Sequence, residues 1–166
     1  MDKKILDATC GGRSIWFDKS NPGTLYVDRK RDSGELKTVR GGVKHYSCEP
    51  DIVADFTDLP FEDNSFYLVV FDPPHLISGV ETAWLSKVYG KLEGDWREVI
   101  RKGFEECWRV LKPNGTLIFK WNEVQIPTRE VIKAIGHDPL FGHRSGKKSR
   151  THWIAFFKNE EAEHER

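Results

Sequence analysis

The stretch Asn64-Ser65-Phe66-Tyr67-Leu68-Val69-Val70-Phe71-Asp72-Pro73-Pro74-His75 decides how the rest of the chain reads. Phe66 to Phe71 is an unbroken apolar run rich in β-branched and aromatic residues, the composition of a strand buried on both faces within a parallel sheet. An acid and two prolines stop it abruptly. Neither proline can donate a ladder hydrogen bond, and Pro73 biases Asp72 away from helical ψ. A carboxylate is therefore expected at the carboxyl end of a central strand, the edge where open α/β sheets take their ligands. The plainer alternative is a strand end followed by a proline-rich loop.

Upstream, Lys3 to Thr9 reads as a strand that runs into the turn Cys10-Gly11-Gly12. A helix is expected from Arg13 to Lys19, stopped by the breaker Asn21-Pro22-Gly23. Thr24 to Val27 is a second strand with Asp28 at its end. Strand, glycine turn, helix, strand, acid is the opening of a doubly wound nucleotide-binding sheet. Arg29 to Tyr46 is polar and basic, a loop or short hairpin. Asp51 to Asp55 forms a short third strand, and the run ending at Phe71 is the fourth.

Downstream, Leu76 to Lys91 gives no clear pattern. Asp95 to Leu111 places Trp96, Ile100, Phe104, Cys107, Trp108 and Leu111 at helical spacing, a core-facing stripe. Lys112-Pro113-Asn114-Gly115 ends that helix, Thr116 to Trp121 is the fifth strand, and Pro127 opens a short helix stopped by Gly136. Leu140-Phe141 and His152 to Phe157 read as two closing strands joined by the basic turn His143 to Arg150. The reading is one α/β domain over residues 1–158, a Rossmann-like, doubly wound and mostly parallel sheet. Residues 159–166 form an acidic, frayed tail.

Composition narrows the class. The 166 residues suit a single domain with a full sheet, and 38% hydrophobic with 31% charged residues is the balance of a soluble globular protein. No apolar run reaches membrane-spanning length, and no leader peptide is expected. The three cysteines, Cys10, Cys48 and Cys107, are odd in number and widely spaced. They suggest neither a disulfide framework nor a zinc site, so no metal and a cytoplasmic location are expected. A net charge of zero gives no global argument for nucleic acid.

Chemistry enters at the strand ends. Glycines at 11 and 12 let a backbone approach a ligand that a Cβ would exclude. Asp28, 21 positions after Asp7, stands where an acid can accept both hydroxyls of a ribose. The dinucleotide fingerprint is absent, so a phosphate-free adenosine cofactor fits better than NAD. Cys10 reads as a small packing residue, because no activating partner is evident.

With these residues in place, the chain resembles the class I S-adenosylmethionine-dependent methyltransferases nearly from end to end. Ile5-Leu6-Asp7-Ala8-Thr9-Cys10-Gly11-Gly12 is similar to their glycine-rich first motif, with the second glycine one place early. The resemblance implies cofactor contacts from Asp7, Thr9, Cys10, Gly11 and Gly12. It assigns Asp28 with Arg29 to the ribose, Asp55 and Phe56 to the adenine edge, and Asp72 to the methyl end. It also implies a sheet of about seven strands with the last one reversed.

Asp72-Pro73-Pro74-His75 further resembles the motif of small phage- and bacterial-type methyltransferases that modify planar amino groups, including adenine N6 and cytosine N4. An exocyclic amine is a poor nucleophile because its lone pair is delocalised into the ring. A carboxylate and a backbone carbonyl that accept its N–H bonds favour a pyramidal nitrogen aimed at the methyl donor. The resemblance makes Asp72, Pro73, Pro74 and His75 the catalytic set, with His75 at the position that normally stacks on the target ring. A base in a duplex would have to be flipped out to reach it.

Lys120 and Trp121 at the end of the fifth strand are candidates for the substrate side, with core packing as the competing account of the tryptophan. Arg144, Lys147, Lys148 and Arg150 of the basic turn track a phosphate backbone or form a solvated hairpin tip. The favoured substrate is a nucleic-acid base, DNA or RNA, with adenine N6 first. The alternatives are a small molecule, a protein amide, or a catalytically silent adenosine-binding subunit. Little chain is left for target recognition, which a partner or an oligomer would then supply.

Overall fold

The computed structural model describes residues 3–37, 41–79 and 84–159. Of the expected tail over residues 159–166, residues 160–166 lie outside them. Among the described residues, nine strands and three helices follow in the order β1 Ile5–Asp7, β2 Thr24–Asp28, β3 Asp32–Lys37, β4 Val43–Cys48, β5 Ile52–Val53, β6 Phe66–Phe71, α1 Trp84–Tyr89, α2 Trp96–Val110, β7 Leu111–Asn122, α3 Thr128–Ile135, β8 Phe141–Arg144 and β9 Thr151–Phe157.

The central sheet has seven strands in the order β5-β2-β1-β6-β7-β9-β8. β1 and β6 lie at its centre, and every pairing from β5 to β7 is parallel. β9 is the one reversed strand, antiparallel to both β7 and β8. The expected Rossmann-like α/β sheet is therefore present, and the strand order reverses direction between β1 and β6. That is the switch point at which such sheets open a crevice at their carboxyl edge.

Side-chain alternation builds the core on one face. Leu6, Val27, Val69, Phe71, Leu117, Phe119, Trp121 and Phe156 are buried together with Ile100, Phe104, Cys107 and Val110 of α2 and with Val131 and Ile135 of α3. The three- and four-residue spacing on α2 is that of one helical face. Asp95 caps the helix, accepting the Arg97 N–H at 3.0 Å. At its other end Lys158, next to β9, donates to the Trp108 and Leu111 carbonyls, both at 3.0 Å. A buried ammonium thus completes the helix C-terminus, where cations are favoured. α3 opens after Pro127 and closes on Gly136 at φ +77, as expected of a left-handed cap.

Two local expectations change, and one left open between a loop and a short hairpin is decided. The helix over Arg13 to Lys19 does not form; the segment is a succession of turns. Arg13 sits at φ +54, which no α-helix accommodates, and its guanidinium donates to the Lys19 and Glu49 carbonyls at 2.7 and 2.6 Å. Trp16 is likewise committed elsewhere, donating its indole N–H to Asp7 at 2.7 Å. Tertiary contacts have overridden local propensity. Secondly, Arg29 to Tyr46 resolves into the antiparallel hairpin β3–β4, standing apart from the main sheet. Thirdly, the turn at Lys112 to Gly115 is taken into β7, where the register with β6 shifts between Phe66 and Leu68 and Asn114 adopts φ +61. No helix among the described residues is long and apolar enough to cross a membrane.

Candidate functional site

Four strand ends meet at the carboxyl edge of the sheet, and backbone hydrogen bonds hold them in register. Past β1, the Ala8 N–H donates to the Val70 carbonyl at 3.0 Å and the Cys10 N–H to the Val27 carbonyl at 2.8 Å. Thr9 Oγ1 accepts the backbone N–H of Asp72 at 2.8 Å, tying the end of β1 to the end of β6. Gly11 donates its N–H to the Asp28 carboxylate at 3.0 Å, tying the glycine turn to the end of β2. Phe71 pairs with Phe119, so the next residues along, Asp72 and Lys120, lie side by side and form an ion pair.

These groups open onto one cavity of about 420 Å³. Thr9, Gly11, Asp28, Arg29 and Phe56 line it together with Asp72, Pro73, Pro74, His75 and Lys120. The volume falls within the range of small-ligand sites, roughly 300–1,000 Å³. Asp55 lines a smaller adjoining cavity instead, and accepts the Thr57 N–H and hydroxyl at 2.9 and 2.8 Å. Phe56 borders both, its ring tilted against Phe71 with centroids 5.3 Å apart.

Other sequence candidates stand back from the cavity wall. Asp7 is buried beneath the glycine turn, accepting from Trp16 and from the Thr9 N–H at 3.2 Å. Burial outweighs those donors and pushes its carboxyl up to about 7. Gly12 is pressed against the hairpin, since a Cβ there would lie 3.2 Å from the Ser47 carbonyl. Cys10 is buried beside Cys48 and Tyr26. Trp121 is fully buried, stacked on Phe119, with its indole N–H on the Ile126 carbonyl at 3.0 Å. It meets His75 edge-on, centroids 6.5 Å apart, so it backs the wall that His75 forms. Arg144, Lys147, Lys148 and Arg150 are exposed and outside the cavity.

Electrostatics inside the cavity are mixed. Burial raises the Asp72 pKa and Lys120 opposes that rise by its charge and its hydrogen bond. Burial and the same ammonium lower the His75 pKa, leaving its ring a neutral imidazole near pH 7. Apart from Asp72, the acids at the wall are Asp28 and Glu93, and Arg29, Lys30 and Lys91 accompany Lys120.

Sequence reasoning missed the far wall. Ser86, Val88, Tyr89, Gly90, Lys91 and Glu93 line the cavity from α1 and the loop after it. Lys30 donates to the Lys87 carbonyl at 3.0 Å and Arg29 pairs with Glu93 at 3.7 Å, so this wall is latched to the end of β2. A glycine following an aromatic residue was the available sign: Gly90 ends α1 at φ +76 with its N–H on the Ser86 carbonyl.

The residues present fit an adenosine-containing methyl donor. Gly11 stands at φ +47, and a Cβ built on it would meet no protein atom within 4 Å, so backbone geometry rather than packing asks for glycine and the space beside it is free. Asp28 offers a carboxylate to hydroxyls there, and Phe56 an apolar ring.

No family model matches the chain. Among curated proteins it is 26% identical over 125 residues to the ribosomal RNA small subunit methyltransferase B of Shewanella oneidensis, a match covering 69% of this chain. The chain spans only 29% of that protein's length. Among solved structures, a protein of Pyrococcus horikoshii OT3 superposes with a TM-score of 0.55 at 17% identity, over 94% of this chain and 81% of that one. The N-methyltransferase NodS of Bradyrhizobium japonicum superposes with a TM-score of 0.54 at 13% identity, over 94% of this chain and 85% of NodS. At such identities the likeness establishes the fold, which is that of the class I methyltransferases.

Proposed function

We propose that the chain is an S-adenosylmethionine-dependent methyltransferase acting on a planar amino group of a nucleic-acid base, adenine N6 first. The observation that carries this reading is that Asp72-Pro73-Pro74-His75 and the Thr9–Gly11–Asp28 cluster line the same cavity. The fold shared with NodS supports the transfer chemistry, and the weak relationship to a ribosomal RNA methyltransferase favours RNA over DNA. Residues 1–158 form the catalytic domain in this reading, a cytoplasmic protein with target recognition aided by a partner or second copy.

Bound S-adenosylmethionine supplies an electrophilic methyl group on a sulfonium. Asp28 would hold the ribose hydroxyls, Gly11 would leave room for the ligand's backbone approach, and Phe56 would flank the adenine. Asp72 and the Pro73 carbonyl would accept the two N–H bonds of the target amine and turn its lone pair toward the methyl. His75, neutral and backed by Trp121, would lie along the target ring.

Asp72→Ala tests the reading. It should retain S-adenosylmethionine in calorimetry yet lose about two to three decades of turnover, because the carboxylate makes its decisive bonds as the nitrogen pyramidalises. Labelled S-adenosylmethionine offered with RNA, DNA, nucleosides and protein separately identifies the acceptor. Near-full turnover in Asp72→Ala, on the acceptor so found, would remove the amino-methyltransferase reading.

A further inference from the structure

Cys10, Asp28 and Cys48 are far apart in sequence, and the fold brings them to one point. Cys10 belongs to the turn after β1, Asp28 ends β2 and Cys48 ends the hairpin strand β4. One donor atom from each, two Sγ and a carboxylate oxygen, all lie within 4.8 Å of one another. We propose that Cys10, Cys48 and Asp28 form a site for a thiophilic divalent cation of the Zn²⁺ type, placed so that the ion and an adenosine ribose compete for Asp28.

The donor set and its setting support this. In a tetrahedral zinc site with Zn–S near ~2.3 Å and Zn–O near ~2.1 Å, neighbouring donors stand roughly 3.5–3.8 Å apart. A contraction of at most about an ångström in any separation therefore closes the site. Two thiolates select against Mg²⁺ and Ca²⁺, which prefer oxygen. The backbone around the site is held: Cys10 N–H is bonded to β2, and Cys48 Sγ donates to the Lys30 carbonyl at 3.3 Å. Both thiols are buried, whereas Asp28 is half-buried and lines the cavity, which gives an ion its way in.

Without metal the two cysteines pack against Tyr26 and Trp16. The neighbouring Cys48 thiol and burial push the Cys10 thiol up. Binding exchanges two thiol protons for the cation. Zn²⁺, two thiols and one carboxylate give a bis-thiolate carboxylate complex of charge −1 and two protons released to solvent, with a fourth position open to water. Competition with ribose rests on the adenosine reading of Asp28; the site itself does not.

Anaerobic titration of the reduced protein with Co²⁺ separates the two. A thiolate-to-cobalt charge-transfer band should saturate at one equivalent, with the intensity of two thiolates. Cys48→Ser should abolish the two-thiolate band, and Asp28→Asn should keep it while weakening Co²⁺ by roughly tenfold or more. S-adenosylhomocysteine should lower the apparent Co²⁺ affinity by a similar factor in the wild type. Absence of the band at excess Co²⁺, or its survival at full intensity in Cys48→Ser, overturns the site. If calorimetry shows S-adenosylhomocysteine bound to metal-free protein but Co²⁺ affinity is unmoved by it, the shared use of Asp28 is overturned. Absence of S-adenosylhomocysteine heat from metal-free protein is instead a failure of the adenosine reading, and the wild-type band still decides the site.

Discussion

Lys120 donates from its ammonium to the carboxylate of Asp72, each side chain about a quarter exposed, just past the end of β6 and near the end of β7. The pair follows from register: Phe71 opposite Phe119 puts an acid and a base next to each other one step on. In the free protein Lys120 fills an acceptor position that the proposed mechanism gives to the target amine. It also opposes the rise that burial imposes on the Asp72 pKa. The carboxylate accepts an amine N–H far more strongly than the protonated acid, so loss of the counter-charge should demand a higher pH for activity. Lys120→Gln should shift the acidic limb of the kcat/KM profile upward, with part of the turnover lost at neutral pH recovered in alkali. A limb that stays where it is would show that Lys120 does not govern the Asp72 charge.

The sheet was legible because its strands carry unambiguous apolar runs and its acids stand at strand ends. Asp28 and Asp72 were placed at the carboxyl edge from the residues that stop the strands, and the structure puts both on the cavity wall. What stayed hidden depends on contacts between distant segments. Arg13 to Lys19 reads as a helix between the glycine turn and the Asn21-Pro22-Gly23 breaker, yet Arg13 and Trp16 are drawn to Glu49 and Asp7. The far wall from Ser86 to Glu93 has no motif and is held by Lys30 and Arg29 across the cavity. Cys10 and Cys48 meet only because the hairpin folds back over the glycine turn.

Gly103 in the middle of α2 shows a close approach that the cavity depends on. A Cβ there would stand 2.5 and 2.7 Å from two Phe56 ring carbons and 2.9 Å from the Phe71 ring. Alanine is the better helix former by about 0.8–1.0 kcal/mol, but forcing a methyl against two rings in a packed core typically costs about 1–3 kcal/mol. Overpacking should win, because both rings are themselves buried. Gly103→Ala should lower the thermal midpoint and, by shifting Phe56, weaken S-adenosylhomocysteine in calorimetry. A variant as stable as wild type would mean the rings yield freely.

Asp7 makes stability depend on pH in a direction opposite to the ordinary salt-bridged carboxylate. Its folded-state value of about 7 lies above its ordinary 3.8, with burial as the cause. Between those values the folded protein keeps a proton that the unfolded chain has released, so stability falls as pH rises through the window and levels off above it. At 1.36 kcal/mol per unit, the loss from this one group is on the order of 4 kcal/mol. Asp7→Asn removes the titration while keeping an acceptor for Trp16 or Thr9. Urea unfolding at pH 5 and pH 8 should show the wild type losing a few kcal/mol more than the variant. Equal losses in the two proteins would place the Asp7 carboxyl at an ordinary value.

The basic turn between β8 and β9 lies at the same sheet edge as Asp72, because reversed β9 begins where β7 ends. Glu123, just past β7, donates its N–H to the Arg150 carbonyl at 2.9 Å and pairs with Arg144 at 2.8 Å. His152 first, then Thr128, hold the Glu123 carboxyl down at about 2, so Arg144 keeps its partner throughout the working pH range. Lys147 and Lys148 are exposed at the tip. If a polynucleotide lies along this edge, the two lysines should carry its phosphates and Arg144 should add little. Lys147→Ala with Lys148→Ala should then weaken binding to all sequences alike. The slope of log affinity against log salt should shrink by about 1.8 for a duplex and about 1.4 for a single strand. Arg144→Ala should leave the slope almost unchanged. A slope indifferent to both lysines would leave the turn a solvated hairpin tip, and the polymer would have to be sought along another part of the cavity's rim.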